Sequence, residues 1–273
     1  MIKQMLRRGA GLLPKPVETS IIQTYWRVKS DLLYRRLYRA LELEHVLPSG
    51  LTVRVASRGE WWAYNEIFVN REYDSPIRQA FALRASGERF TVMDLGANVG
   101  YFVLRVIDLM RQELLQGASC DISAVEGSPE NFHELQSRLQ GQNLTPAIVR
   151  TINGLAGQRT GNGLIHQSAL HVKNSILEAP EHGGVAVPFV DLTELMAGRP
   201  EIDLLKCDIE GAELLFLENY QDLLLRVRSA VFELHHKRCD TRRCVCLLEQ
   251  AGLRQQVVRS GEETSVSFFS RKL

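Results

Sequence analysis

Two apolar stretches of this 273-residue chain end in unusual crowds of charge, IDLLKCDIEGAELL at 202–215 and SAVFELHH at 229–236. An apolar run that stops at charges reads as a strand buried in a parallel sheet, whose tip emerges at the carboxyl edge where open α/β sheets bind ligands. The period of two places Lys206 and Asp208 on one face of the first strand, and Glu233 and His235 on one face of the second. Two adjacent tips would thus deliver Lys206, Asp208, Glu233 and His235 into one crevice, as the candidate catalytic set. An alcohol oxygen that attacks as a nucleophile needs a base to take its proton; His235 has an ordinary pKa near 6.5, and Lys206 could serve if desolvation lowered its own. The carboxylates could orient that base, bind a hydroxyl or hold a hard cation such as Mg²⁺. Glu210 and Glu213 fall on the first turn of the next helix, at the positive end of its dipole. A structural ion-pair network is the competing reading, since such networks also cluster charge.

A second constellation lies upstream, in VMDLGANVGYFVL at 92–104. Glycines between a strand and a helix let the backbone approach a ligand, and the helix N-terminus offers free N–H groups. A dinucleotide fingerprint would place a glycine at the middle position; here it is Asn98, and Asp94 precedes the first glycine. That carboxylate would repel a pyrophosphate and suits a cationic ligand. The next strand ends in Glu126-Gly127, an acid placed to accept hydrogen bonds from both hydroxyls of a ribose. Asp94, Gly96, Ala97, Asn98, Gly100, Glu126 and Gly127, joined by Asp208 at its strand tip, form the candidate cofactor set. The pattern points to S-adenosylmethionine, whose sulfonium is positive and whose ribose is free, and away from a nicotinamide oxidoreductase.

HHKRCDTRRCVC at 235–246 does not match an established zinc pattern. No structural metal is expected there; His236 reads as solvent-facing, and Cys244 and Cys246 as helix packing.

These residues need a frame to hold them. FTVMDL (90–95), a helix from Asn98 to about Leu115, DISAVE (121–126), a helix from Pro129 to about Leu139 and PAIVRTI alternate as parallel βαβ units with helices on both faces. The regularity fails from about Asn153 to Gly184, and an irregular insert of that length is usually functional. RQQVVRS and TSVSFFS, joined by GEE, read as a hairpin on one sheet edge. The expected fold is a doubly wound α/β one, with a catalytic domain over 48–273 and a helical extension over 1–47.

Within that extension, apolar residues from Ser20 to about Leu43 recur at helical spacing with arginines and lysines between them, a basic amphipathic helix. It packs on the core or docks on a membrane surface or carrier protein. Charged residues make up 24% of the chain and the net charge is +1, which gives no field for nucleic acid. Five scattered cysteines fit a reducing, cytoplasmic compartment, and no apolar run reaches transmembrane length. Oligomeric state is not readable.

VMDLGANVGYFVL, AVEGSPENFHEL, IDLLKCDIEGAELLFLENY and AVFELH, in this order, resemble the successive blocks of the FkbM-type S-adenosylmethionine-dependent methyltransferases. NEIFVNREYD upstream resembles a segment that precedes the core there, and the likeness covers roughly residues 60 to 235. The resemblance implies a Rossmann-like methyltransferase fold with a seven-stranded, mostly parallel sheet, first and fourth strands neighbours around the cofactor, and O-methylation of a small-molecule hydroxyl such as that of a saccharide or polyketide. Family members often have Glu-Pro where this chain has Glu126-Gly127. From a different class, the rival is a non-catalytic nucleotide-binding or partner-binding module that kept the fold; the polar set at both strand tips speaks against it.

Overall fold

The computed structural model describes residues 43–84, 89–113, 119–165 and 184–271, with 33, 34, 36–38, 40 and 41 before them. The basic segment 20–43 and the extension 1–47 therefore lie largely outside the described residues, as do 166–183 of the irregular insert. Among the described residues, no helix is long and apolar enough to cross a membrane.

From residue 43 the chain forms a small antiparallel hairpin, β1 (Leu43–Val46) and β2 (Thr52–Val55). Helix α1 (Arg58–Tyr64) follows, capped by the Ser57 hydroxyl accepting from the Glu60 N–H. The helix then widens into a π turn over Asn65–Val69, in which the Asn70 N–H reaches back to the Asn65 carbonyl at 2.7 Å. Arg71 breaks it at φ 57°, and α2 (Asp74–Leu83) begins.

From there strands and helices alternate: β3 (Phe90–Leu95), α3 (Tyr101–Glu113), β4 (Cys120–Glu126), α4 (Pro129–Gln140) and β5 (Ala147–Asn153). On either side of 166–183, β6 (Asn162–Ile165) pairs antiparallel with β7 (Val185–Pro188). After α5 (Leu192–Leu195) come β8 (Ile202–Cys207), α6 (Glu213–Asn219), α7 (Gln221–Leu224), β9 (Val227–His235), α8 (Thr241–Gln250), β10 (Leu253–Ser260) and β11 (Thr264–Arg271). The main sheet has seven strands in the order β10-β11-β9-β8-β3-β4-β5. It is parallel except at β11, which pairs antiparallel with β10 and β9, so the expected C-terminal hairpin is present with β10 at the edge.

The first strand of this sheet, β3, and the fourth, β8, lie side by side. The chain leaves β3 toward β4 and β5 on one side, then returns to β8 on the other, so a crevice opens where the order reverses. Alternation along β3 explains the two cores. Phe90 and Val92 face the layer built on α2 and α3, whereas Met93 and Leu95 face the layer built on α6, α7 and α8. Asp94 follows the first parity and Lys206 shares it on β8, which turns a carboxylate and an ammonium toward the same apolar layer.

Candidate functional site

That burial makes Asp94 and Lys206 depend on one another. The two are direct partners in the β3–β8 register, and Lys206 Nζ lies 3.2 Å from Asp94 Oδ1. The same ammonium donates to the Gly96 carbonyl at 2.7 Å and stands 3.8 Å from Asp208 Oδ2. Two expectations change. Asp94 is 0% exposed and does not line the cleft, so its charge is spent on Lys206 instead of being offered to a ligand. Desolvation does not lower the Lys206 pKa on balance: burial pulls it down, but the Asp94 and Asp208 charges outweigh it and hold the pKa above the ordinary value.

Lys206 and Asp94 together pin the glycine loop. Gly96 has φ +78°, and a Cβ there would stand 1.8 Å from the Asp208 carbonyl oxygen. The glycine therefore serves the close approach of the β3 loop to the β8 tip. Gly100 packs against Leu135 behind the loop, away from the cleft. The Asp208 N–H donates to the Leu95 carbonyl at 3.1 Å, and the Gly96 and Ala97 N–H groups both donate to Val125 at 3.0 Å, which locks three strand ends together.

Asn98 takes φ 50°, a left-handed conformation that asparagine tolerates. Its N–H then points at Glu126, donating to Oε2 at 2.7 Å, while the Ser128 N–H donates to Oε1 at 2.8 Å. Burial pushes Glu126 up to about 7, although both N–H groups pull the other way. The carboxylate is fixed in orientation, lines the cleft and keeps lone pairs for further donors.

The cleft encloses about 970 Å³, counting the part open to solvent. Gly96, Ala97, Asn98, Glu126, Gly127, Lys206 and Asp208 of the sequence-predicted set lie on its wall. Glu233 and His235 do not; they flank it within an ion-pair network. His235 Nδ1 sits 2.9 Å from Glu213 Oε1 and its Nε2 3.4 Å from Glu210 Oε2. Burial lowers the His235 pKa, but the Glu213 hydrogen bond and charge prevail and raise it to about 9. Burial would raise Glu213, yet its bond from His235 holds it below the carboxylate range. At neutral pH His235 is thus an imidazolium paired with the Glu213 carboxylate, while burial and the Asp208 charge push Glu210, beside its other nitrogen, up to about 8.

Glu210 lies before α6 at φ 55°, rather than on its first turn, and is gripped by Arg238 Nη1 at 2.7 Å. Glu233 is held by Arg259, which bridges it at 3.2 Å to Glu72 at 2.7 Å. Asp208, Glu210 and His235 each turn one possible ligand atom into a region 4.8 Å across. Arg238 and the imidazolium already bring positive charge there, and the set is assigned no metal.

The wall residues outside the sequence-predicted set include Glu66 and Tyr73, from the segment before the glycine loop, and Glu210 after β8. Spacing could not have found Glu66, because the π turn that orients it has no simple periodicity.

The sequence pattern described as the Methyltransferase FkbM domain matches residues 94–252, more than half of the chain. No curated protein matches. Among solved structures, Methyltransferase FkbM from Methylobacillus flagellatus KT is 12% identical over 76% of this chain and 60% of its own, with a TM-score of 0.43. Aeropyrum pernix fibrillarin, described with bound S-adenosyl-L-methionine, is 12% identical over 71% and 73%, TM-score 0.41. Precorrin-6y C5,15-methyltransferase from Geobacter metallireducens GS-15 is 11% identical over 72% and 87%, TM-score 0.41. The fold assignment rests on strand order rather than on these superpositions.

Proposed function

The chain belongs to the FkbM methyltransferase family, and from that premise we propose that it moves the methyl group of S-adenosylmethionine to a hydroxyl of a small molecule such as a saccharide or polyketide. The observation that carries the reading is Glu126, a buried carboxylate on the cleft wall whose orientation is fixed by two backbone N–H groups and whose free lone pairs suit two vicinal hydroxyls. Gly96, Ala97 and Asn98 form the floor over which the nucleoside lies, with Gly127 beside its ribose. S-adenosylmethionine supplies an activated methyl on a positive sulfur. This chain's own residues bind the ribose at Glu126, set the loop through Lys206 and Asp94, and surround the methyl with Asp208 and the acids beyond it.

His235 and Glu233 act in this reading by positioning. Glu213, His235, Glu210 and Arg238 form a chain of ion pairs that fixes the loop after β8, and with it Asp208. Five unbonded cysteines support a reducing, cytoplasmic setting. A divalent cation is not required by the arrangement.

Calorimetric binding of S-adenosylhomocysteine, with NAD as control, tests the reading on the wild type and on Glu126→Ala. Binding of the first ligand alone, weakened at least tenfold in the variant, supports it and justifies screening hydroxyl acceptors with labelled S-adenosylmethionine. Absence of binding to the wild type would overturn it.

A further inference from the structure

We propose that Glu66, which lies outside the matched family domain, is the general base that takes the proton from the acceptor hydroxyl. This inference rests on the methyltransferase reading above.

Five of the charged groups near the strand tips and the glycine loop are occupied, and Asp208 stands 3.8 Å from the Lys206 ammonium. Lys206 is bound to Asp94 and the Gly96 carbonyl, His235 is held by Glu213 and Glu210 on its two ring nitrogens, Glu210 is paired with Arg238, and Glu233 with Arg259. Glu126 is turned toward the Asn98 and Ser128 N–H groups on the other side of the loop. Glu66 lines the same cleft as Asp208, and its carboxylate has no hydrogen bond or ion pair among the described residues.

Its position is built rather than incidental. The π turn that carries it is clamped at both flanks. Upstream, Glu60 accepts from Arg138 at 2.8 Å; downstream, Asp74 takes a two-pronged bond from Arg105 at 2.7 and 2.5 Å, and Glu72 takes Arg259. Single π turns inside helices are frequent at functional sites because the extra residue re-aims a side chain. Ile67 and Phe68 of the same turn are buried, which holds the backbone under Glu66 in place.

The groups facing Glu66 make it basic. Burial and the charges of Glu233, Asp208 and Glu72 raise its proton affinity, Arg259 opposes them, and the result is a carboxyl that titrates at about 7. Tyr73 beside it is buried, feels the same three acids and Glu66 itself, and stays a neutral phenol. A base poised near the working pH is the efficient kind. In the step, the acceptor O–H bond breaks and its proton passes to Glu66. The oxygen lone pair forms the new O–CH₃ bond, and the C–S bond breaks with its electron pair going to sulfur. A carboxylate and a sulfonium thereby become a neutral acid and a neutral thioether, a loss of opposite charges that suits a partly dry cleft.

The test needs no known acceptor. At pH 7, calorimetry in buffers of different ionisation enthalpy measures the protons released when the full chain binds S-adenosylmethionine or S-adenosylhomocysteine. A carboxyl next to the transferable methyl ionises more fully against the sulfonium, so the wild type should release more protons with the first ligand, by roughly half a proton. Glu66→Gln should erase that difference and bind S-adenosylhomocysteine within about threefold of wild type; Glu66→Asp should keep part of it. An unchanged difference in Glu66→Gln, or equal proton release by the wild type with both ligands, would overturn the proposal. Failure of the wild type to bind either ligand would instead remove the methyltransferase reading beneath it.

Discussion

Asp94 and Lys206 face each other across the β3–β8 register with their charges 3.2 Å apart and almost no exposure to water. The pair lies under the glycine loop, and because Lys206 also holds the Gly96 carbonyl, it joins two strands and the cofactor loop in one contact. A charge buried this deeply is tolerable only while its partner is present.

Lys206→Met should therefore destabilise the protein by about 3–5 kcal/mol, because it strands Asp94 in an apolar layer. Asp94→Asn combined with Lys206→Met should cost clearly less than the sum of the two single changes. Urea denaturation of the four proteins measures the coupling; additive losses would mean that the two groups do not depend on one another.

Gly96→Ala meets a different obstacle. Its Cβ would overlap the Asp208 carbonyl oxygen, which belongs to backbone and cannot swing away. Affinity for S-adenosylhomocysteine should fall by more than about tenfold, the loop and the β8 tip having been forced apart. Gly50→Ala is the control: its φ of +84° is similar, yet its Cβ would meet nothing within 4 Å. That variant should lose only about 1 kcal/mol of stability and keep its affinity.

The His235–Glu213 pair predicts a pH dependence of stability. His235 titrates at about 9 in the folded chain, above its ordinary 6.5, so its contribution is complete below 6.5 and is lost as pH rises through 9. Glu213 is depressed, so its contribution is present above the ordinary 4.5 and is lost as pH falls through its lowered folded value. Between pH 6.5 and 9.5 the wild type should lose roughly 3 kcal/mol more than His235→Gln does, in chemical denaturation followed across that range. Parallel curves for the two proteins would show that the imidazole is not held charged.

Arg105 on α3 neutralises Asp74 at the start of α2 and Asp108 one turn along its own helix, with all three side chains buried. Arg105→Met should cost about 3–5 kcal/mol by leaving two carboxylates without a counter-charge. Since α2 lies just past the turn carrying Glu66, amide exchange across 65–74 should accelerate far more than across the glycine loop. Uniform acceleration would place the damage elsewhere.

Much of the frame was legible in the chain itself. The β3 bounds follow from the apolar run 90–95, and the hairpin β10–β11 from two alternating runs around GEE, because strand periodicity and turn residues are local properties. The helix expected from Asn98 instead starts at Tyr101, since the positive φ at Asn98 and Gly100 keeps the loop out of helical conformation. Sequence pattern also found Asp208 and Glu126, because a charge at the end of an apolar strand has one place to go.

What sequence could not decide is which charges meet. Parity alone put Lys206, Asp208, Glu233 and His235 in one crevice, but parity does not say who neutralises whom. Sheet register gave Lys206 to Asp94, and the loop after β8 gave His235 to Glu213 and Glu210. Arg259 reached Glu233 from a strand near the end of the chain. The sequence by itself determined the sheet, its charged tips and the glycine turn, since these depend on neighbours along the chain. Only the tertiary structure decided that two expected catalytic cations are tied up in ion pairs, while an acid from a π turn before the sheet stands open to the cleft. Electrostatic partnership acts through space over a few ångströms, and residues that close in space lie up to about two hundred positions apart in the chain.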